Sequence, residues 1–221
     1  KNKLNLETNI NWKGCSDTEV LINAIDLWGL TKTLELCIGM FAFALLDRKG
    51  KKLFLVRDRF GEKPIYWGFS GNGSSKALIF GSDLISFKEF PSFDKEINLE
   101  ALDAFLKFSC IPSELTIYKS VKKLKAGTLA EFKISRDSEL KKPKISKWWD
   151  YKKIIESGTS KKLKCKKDIL HQLEETLTKA TDRCSVSDVP LGCFLSGGTD
   201  SSLITALLAR ASNSQINTFT I

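Results

Sequence analysis

The stretch VPLGCFLSGGTDSS, Val189 to Ser202, constrains the fold most. Its nearly unbroken apolar start reads as a strand buried on both faces, the kind found inside a parallel sheet. It passes abruptly into glycine, serine, threonine and aspartate. Leu203, Ile204, Leu207, Leu208 and Ala211 then recur at helical spacing, and INTFTI follows as a second strand. Strand, loop, helix and strand in that order make a βαβ unit, typical of a doubly wound α/β fold. A helix leads into it over 168–180, with Leu170, Leu173, Leu177 and Ala180 on one face.

The chain upstream follows a different pattern. Val20, Leu21, Ala24, Ile25 and Trp28 have the one-face spacing of an amphipathic helix. Ser16 followed by Glu19 is a capping box at its start, and Gly29 is a stop. Short β-type runs come next: IGMFAFALLD, KLFLVRD, PIYWGF and ALIFGS, separated by Gly50, the turn 61–64 and the segment 70–75. Runs broken by such turns predict antiparallel hairpins. Asn98 is an N-cap for a second helix through Leu99, Leu102, Phe105 and Leu106, and GTLAEFKI reads as another strand. From Ser135 the composition turns polar and lysine-rich, with KWWDY as an anchoring aromatic patch. The expected division is therefore an antiparallel α+β part over 1–134, a linker over 135–164, and the start of a parallel α/β part over 165–221.

Composition narrows the class. At 42% hydrophobic and 10% aromatic residues, the 221-residue chain has enough apolar material for packed cores. Its longest apolar segment, Met40 to Leu46, falls far short of the roughly 20 residues that span a bilayer. No charged-then-apolar leader is visible, and a soluble cytoplasmic protein with no membrane partner is expected. Six scattered cysteines without a CxxC pair, beside one histidine, do not resemble a zinc site or a disulfide framework. The net charge of +9 gathers as lysines in three segments that read as loops, 119–125, 141–147 and 161–167. Arginine is scarce, so a solvated lysine-rich surface is favoured over a nucleic-acid face. The chain begins at Lys1 and stops at Ile221 inside an apolar run, and an internal piece of a longer chain is the expectation.

The loop itself invites phosphate. Gly197 and Gly198 let backbone N–H groups approach an anion, and a helix N-terminus behind them adds its positive dipole end. Ser196, Ser201 and Ser202 supply hydroxyl donors. Asp200 repels bare phosphate and makes sense with a Mg²⁺ between the two. GxxxxGK[ST] is absent, so this is not the kinase-type P-loop. An ordinary βα connection with Asp200 or Ser201 as N-cap has the same composition, and the strand–loop–helix setting favours a nucleotide.

SGGTDSS resembles the pyrophosphate-binding loop of the N-type ATP pyrophosphatases, SGGxDSS. The ordered blocks GCSDTEVLINAIDLWG, IGMFAFALLDRKGKKLFLVRDRFGEKPIYWG, FDKEINLEALDAFL, IYKSVKKLKAGT and VPLGCFLSGGTDSS are similar to those of glutamine-hydrolysing asparagine synthetases. That resemblance implies a partial N-terminal-nucleophile αββα sandwich, the glutaminase domain, followed by the start of an α/β parallel-sheet ATP-pyrophosphatase domain. It implies glutamine and aspartate as substrates, ATP and Mg²⁺ as cofactors, and ammonia transferred to aspartate through a β-aspartyl-AMP intermediate. By the same resemblance Asp17 holds the amino group of glutamine. Leu195, Ser196, Gly197, Gly198, Asp200, Ser201 and Ser202 belong to the ATP site, with Asp200 on the metal; Ile221 falls where the family's second strand contributes to the adenosine pocket, and a plain core residue fits that position equally well. A homodimer stays open.

Arg57 and Asp58, in a segment similar to the family's RDxxGxxPL, read as an architectural ion pair. Thr199 stands where the family usually has an apolar residue, and Asp83 and Ile85 where glutamate and lysine are usual. No cysteine occupies a chain start, so no catalytic nucleophile is assigned and the chain alone is expected to be inactive. The acceptor stays open between aspartate and another carboxylate such as a sugar acid. A tRNA-modifying ATP pyrophosphatase and a non-catalytic scaffold are the other readings.

Overall fold

Helix α2 (Asp17–Trp28) begins where its sequence predicts. Ser16 Oγ accepts the Thr18 N–H at 3.1 Å, and Gly29, at φ 79°, ends the helix in a conformation that favours glycine. A short helix α1 (Asn2–Glu7) precedes it, and α3 (Leu30–Leu36) follows directly. These coordinates are a computed structural model describing residues 1–71, 73, 76–134, 141–160, 165–187, 189–212 and 215–220. The predicted turn at 70–75, the linker and Ile221 therefore fall partly or wholly outside the described residues.

The chain divides into two units, Lys1–Lys152 and Lys153–Ile221. The first is built on two antiparallel sheets. Strands β1 (Ala42–Asp47), β2 (Lys52–Arg57), β6 (Thr128–Lys133) and β7 (Lys144–Lys147) form one, in the order β1-β2-β6-β7. Strands β3 (Tyr66–Ser70), β4 (Ala77–Gly81) and β5 (Val121–Lys123) form the other, in the order β4-β3-β5. Both hairpins read from sequence, β1–β2 and β3–β4, are present.

Alternation of side chains along each strand explains the layers. Leu55 of β2, Ala130 and Phe132 of β6 and Trp67 of β3 meet in one buried cluster, so the two sheets pack face to face. The Trp67 and Phe132 rings lie edge to face at 5.5 Å there. The opposite face of the first sheet presents Val56 and Leu129 to Leu34 of α3. The opposite face of the second sheet packs Ile79 and Val121 against Phe87, Phe93 and Tyr118, with Phe87 carried by a 3-10 turn, Ser86–Glu89. Helix α4 (Leu99–Phe108) starts at Asn98, whose side chain accepts the Glu100 and Ala101 N–H groups.

Two of the lysine segments expected as loops contain strands. β5 and β7 are short and stand at sheet edges, where lysines reach water while the backbone pairs on one side only. Next to β7, the Trp148 ring stacks on Phe41, and its Nε1 donates to the Arg57 carbonyl at 3.2 Å. The aromatic patch thus anchors the segment to the first unit.

The second unit contains all but the first two residues of α5 (Tyr151–Ser160), then α6 (Lys166–Cys184), β8 (Gly192–Phe194), α7 (Thr199–Ala211) and β9 (Asn217–Phe219). β8 and β9 pair in parallel around α7, the expected βαβ unit. Burial of β8 on both faces is not observed. Phe194 is 74% exposed, because β9 is the only strand beside β8 among the described residues. The six cysteines are free. No helix among the described residues is long and apolar enough to cross a membrane.

Candidate functional site

Two sites emerge, one in each unit. In the first, the N-terminus of α2 stands at the wall of a cavity of about 640 Å³. Leu4, Val20, Leu21 and Ala24 line it on the helical side, and Met40 to Phe43 line it where β1 begins. Asp17 and Thr18 bring polar groups to this largely apolar wall, and Lys1 and Lys3 bring positive charge. Among the described residues, the Asp17 carboxylate accepts only long hydroxyl contacts, from Thr18 at 3.4 Å and Ser16 at 3.5 Å. It therefore keeps acceptor capacity for a cationic group, and carboxylate and ammonium charges lining one cavity suit a zwitterion.

The expected capping box is only half made. Ser16 caps the helix, but Glu19 does not turn back to the Ser16 N–H. Its two oxygens accept the Lys13 and Gly14 N–H groups at 2.7 and 2.9 Å. The Lys13 N–H bond leads in holding the Glu19 carboxyl below its ordinary range; the Gly14 N–H and the Lys1 and Lys13 charges add to it. Sequence reasoning missed this clamp because a glutamate three residues past an N-cap carries the same signature in either arrangement. Cys37 also lines the cavity. Burial pushes its thiol up, and the Arg59 guanidinium works against that.

The frame beside this cavity rests on Arg57 and Asp58, though not as an ion pair. Asp58 is fully buried and accepts backbone N–H groups from Phe41, Phe60, Glu62 and Lys63 at 2.9 to 3.3 Å. Arg57 donates to the carbonyls of Lys63 at 2.9 Å, Leu124 at 2.6 Å and Gly61. Consecutive residues leaving a strand point to opposite sides, so each binds the backbone on its own side of the turn. Of the departures, Asp83 accepts the Ile85 N–H within its own turn, Ile85 is exposed, and Thr199 is the first residue of α7.

In the second unit the strand–loop–helix junction brings together Leu195, Ser196, Gly197, Gly198, Asp200, Ser201 and Ser202. Leu195 anchors the loop to β9: its N–H donates to the Phe219 carbonyl at 2.8 Å, and its carbonyl accepts the Thr220 hydroxyl at 2.7 Å. Gly197 has φ 79° and nothing within 4 Å of where a Cβ would stand. Gly198 is the N-cap of α7 without a side-chain cap, and Asp200 lies in the first turn. Ser196 Oγ and Ser201 Oγ are 3.1 Å apart, and Ser201 Oγ also donates to the Gly198 carbonyl. Open space over a positive-φ glycine, uncapped N–H groups and two paired hydroxyls form a cradle for an anion. Asp200, in the first turn of α7, is the carboxylate of this loop that could hold a Mg²⁺. Beneath the loop, Thr205 donates to Cys193 Sγ at 3.3 Å and to the Ser201 carbonyl at 2.8 Å, tying strand and helix together. Ile221 lies outside the described residues.

Comparison with known proteins agrees with this two-part layout. Residues 1–149 match the glutamine amidotransferase domain family, and residues 172–221 match the asparagine synthase family. A putative glutamine-hydrolysing asparagine synthetase of Methanocaldococcus jannaschii is 33% identical over the whole chain, which covers 40% of that protein. Asparagine synthetase (glutamine-hydrolysing) 2 of Bacillus subtilis is 29% identical over 95% of the chain, covering 27% of its own length. The Cricetulus griseus asparagine synthetase is 27% identical over 88% of the chain and 31% of its own length. The chain thus spans less than half of each of these relatives. It belongs to the glutamine amidotransferase domain family over residues 1–149, and a segment matching the asparagine synthase family follows over residues 172–221.

Proposed function

We propose that the protein containing this chain is an ATP-dependent asparagine synthetase, a carbon–nitrogen ligase fed by glutamine. The observation that carries the reading is Asp17, at the cavity wall on the N-terminus of α2, with unspent acceptor capacity. A carboxylate there takes the α-ammonium of glutamine, while the apolar walls accept the side-chain methylenes. The face-to-face sheets with α3 on one outer side are consistent with a partial N-terminal-nucleophile αββα sandwich.

The second unit supplies the ATP end, as the opening of an ATP-pyrophosphatase domain. The Gly197–Gly198 backbone and the Ser196, Ser201 and Ser202 hydroxyls hold the phosphate chain, and Asp200 holds Mg²⁺. Mg²⁺ held by Asp200 would supply positive charge to offset that of the departing pyrophosphate. Adenylation gives the aspartate side-chain carboxylate a good leaving group. Ammonia from glutamine then displaces AMP from the β-aspartyl carbonyl and leaves asparagine. We place the boundary between glutaminase and synthetase parts in the 135–164 segment.

The full-length protein supplied with glutamine, ATP, Mg²⁺ and aspartate should form asparagine and release pyrophosphate in equal amounts. Pyrophosphate release with a different carboxylate, and none with aspartate, would move the assignment to another amidotransferase. No release with any carboxylate would sink it.

A further inference from the structure

The segment leading into α2 is held from two sides at a single residue. The Gly14 N–H donates to Glu19 Oε2 at 2.9 Å, and the Gly14 carbonyl accepts from Lys1 Nζ at 2.9 Å. The Lys13 N–H donates to the other Glu19 oxygen at 2.7 Å. Lys1 sits over the Trp12 ring, 4.8 Å from its centroid. No helix or strand orders residues 9–16, so these contacts decide which way the segment enters the helix. Two backbone N–H groups on one carboxylate make a charge-assisted pair of bonds, stronger than the long hydroxyl contacts around Asp17. Asp17 takes its position from the backbone on which it stands.

We propose that Glu19 is a positioning residue of the amino-acid pocket: by clamping the Lys13 and Gly14 N–H groups it fixes segment 13–16 and presents the Asp17 carboxylate to the substrate ammonium. This rests on the reading of Asp17 as the ammonium partner. Glu19 touches no reacting atom and moves no proton, so its loss acts on glutamine binding and not on the chemical step.

The test is made in the full-length protein with initial rates against glutamine for Glu19→Ala, Glu19→Gln and Asp17→Asn. Amide exchange at Lys13 and Gly14 is read alongside. Glu19→Ala is expected to raise the glutamine KM roughly tenfold while kcat changes by less than about twofold. Glu19→Gln keeps one acceptor oxygen and falls between the two. The Lys13 and Gly14 amides exchange faster in the same order, and amides inside α2 keep their wild-type protection. A raised KM in Asp17→Asn with wild-type KM in Glu19→Ala overturns the clamp and leaves the pocket standing. Wild-type KM in Asp17→Asn overturns the pocket reading and the clamp with it. A loss of kcat at constant KM in Glu19→Ala also overturns the proposal. Should Glu19→Ala not fold, Glu19→Gln decides, and wild-type exchange and KM in that variant count against the clamp.

Discussion

Asp58 ties two segments of the first unit together, because four backbone N–H groups converge on it in full burial. Asp58→Asn keeps one acceptor and turns an NH₂ group toward N–H donors, so it should cost about 2–4 kcal/mol of unfolding free energy. Denaturant unfolding at neutral pH checks this, and a loss under half a kcal/mol, within ordinary surface scatter, would contradict it. The importance of Arg57 and Asp58 was legible in the sequence, and their partners were not. Adjacency suggests a pair, whereas strand geometry sends the two side chains to different backbone groups. Glu19 titrates into a prediction of its own. Its folded-state pKa is depressed, first by the Lys13 N–H bond and then by the Gly14 N–H and the Lys1 and Lys13 charges. Its stabilising contribution is therefore complete above the unfolded-state pKa and is lost as pH falls through the folded one. The Lys13 and Gly14 amide resonances should shift together in that acidic window, and Glu19→Gln should abolish the shift.

At the scale of elements, legibility followed capping and alternation. Helices α2 and α4 could be read because Ser16 and Asn98 cap them and an apolar stripe continues behind. Helix α3 gave no such signal, since LTKTLEL is short and begins directly after Gly29. Strands β5 and β7 were hidden by their lysines, which edge positions tolerate and interior strands do not. β8 was recognised as a strand, but its apolar run overstated its burial, because burial depends on neighbours that its own residues do not encode. The glycine loop was the most legible functional element, since residue order alone places it between strand and helix. Gly197→Val would put a branched side chain at φ 79° and a methyl group in the open space above the loop. It should cost about 1–2 kcal/mol in local stability and weaken ATP binding to the full-length protein. Calorimetric titration with ATP and Mg²⁺ measures the second effect, and unchanged affinity would show that the loop does not hold the phosphates.

At the scale of the whole molecule, sequence and structure agree on a change of architecture along the chain. Antiparallel sheets occupy the first unit, and a parallel strand pair around a helix occupies the second. Among the described residues most lysines are exposed, and Lys125 pairs with Glu114 and Lys147 with Asp150, as on an ordinary solvated surface. What no single stretch could disclose is the cavity: α1, α2, α3 and the start of β1 each give it one wall. In the proposed function this cavity receives glutamine through Asp17, and the product ammonia serves a separate ATP-dependent step. The most direct measurement compares asparagine synthesis by the full-length protein and its Asp17→Asn variant, driven first by glutamine and then by ammonium chloride. The account predicts that Asp17→Asn raises the glutamine KM by roughly tenfold or more, while ammonium continues to support synthesis at a rate close to that of the parent protein. Equal glutamine KM values in the two proteins, or parallel loss of both activities in a folded variant, would contradict it.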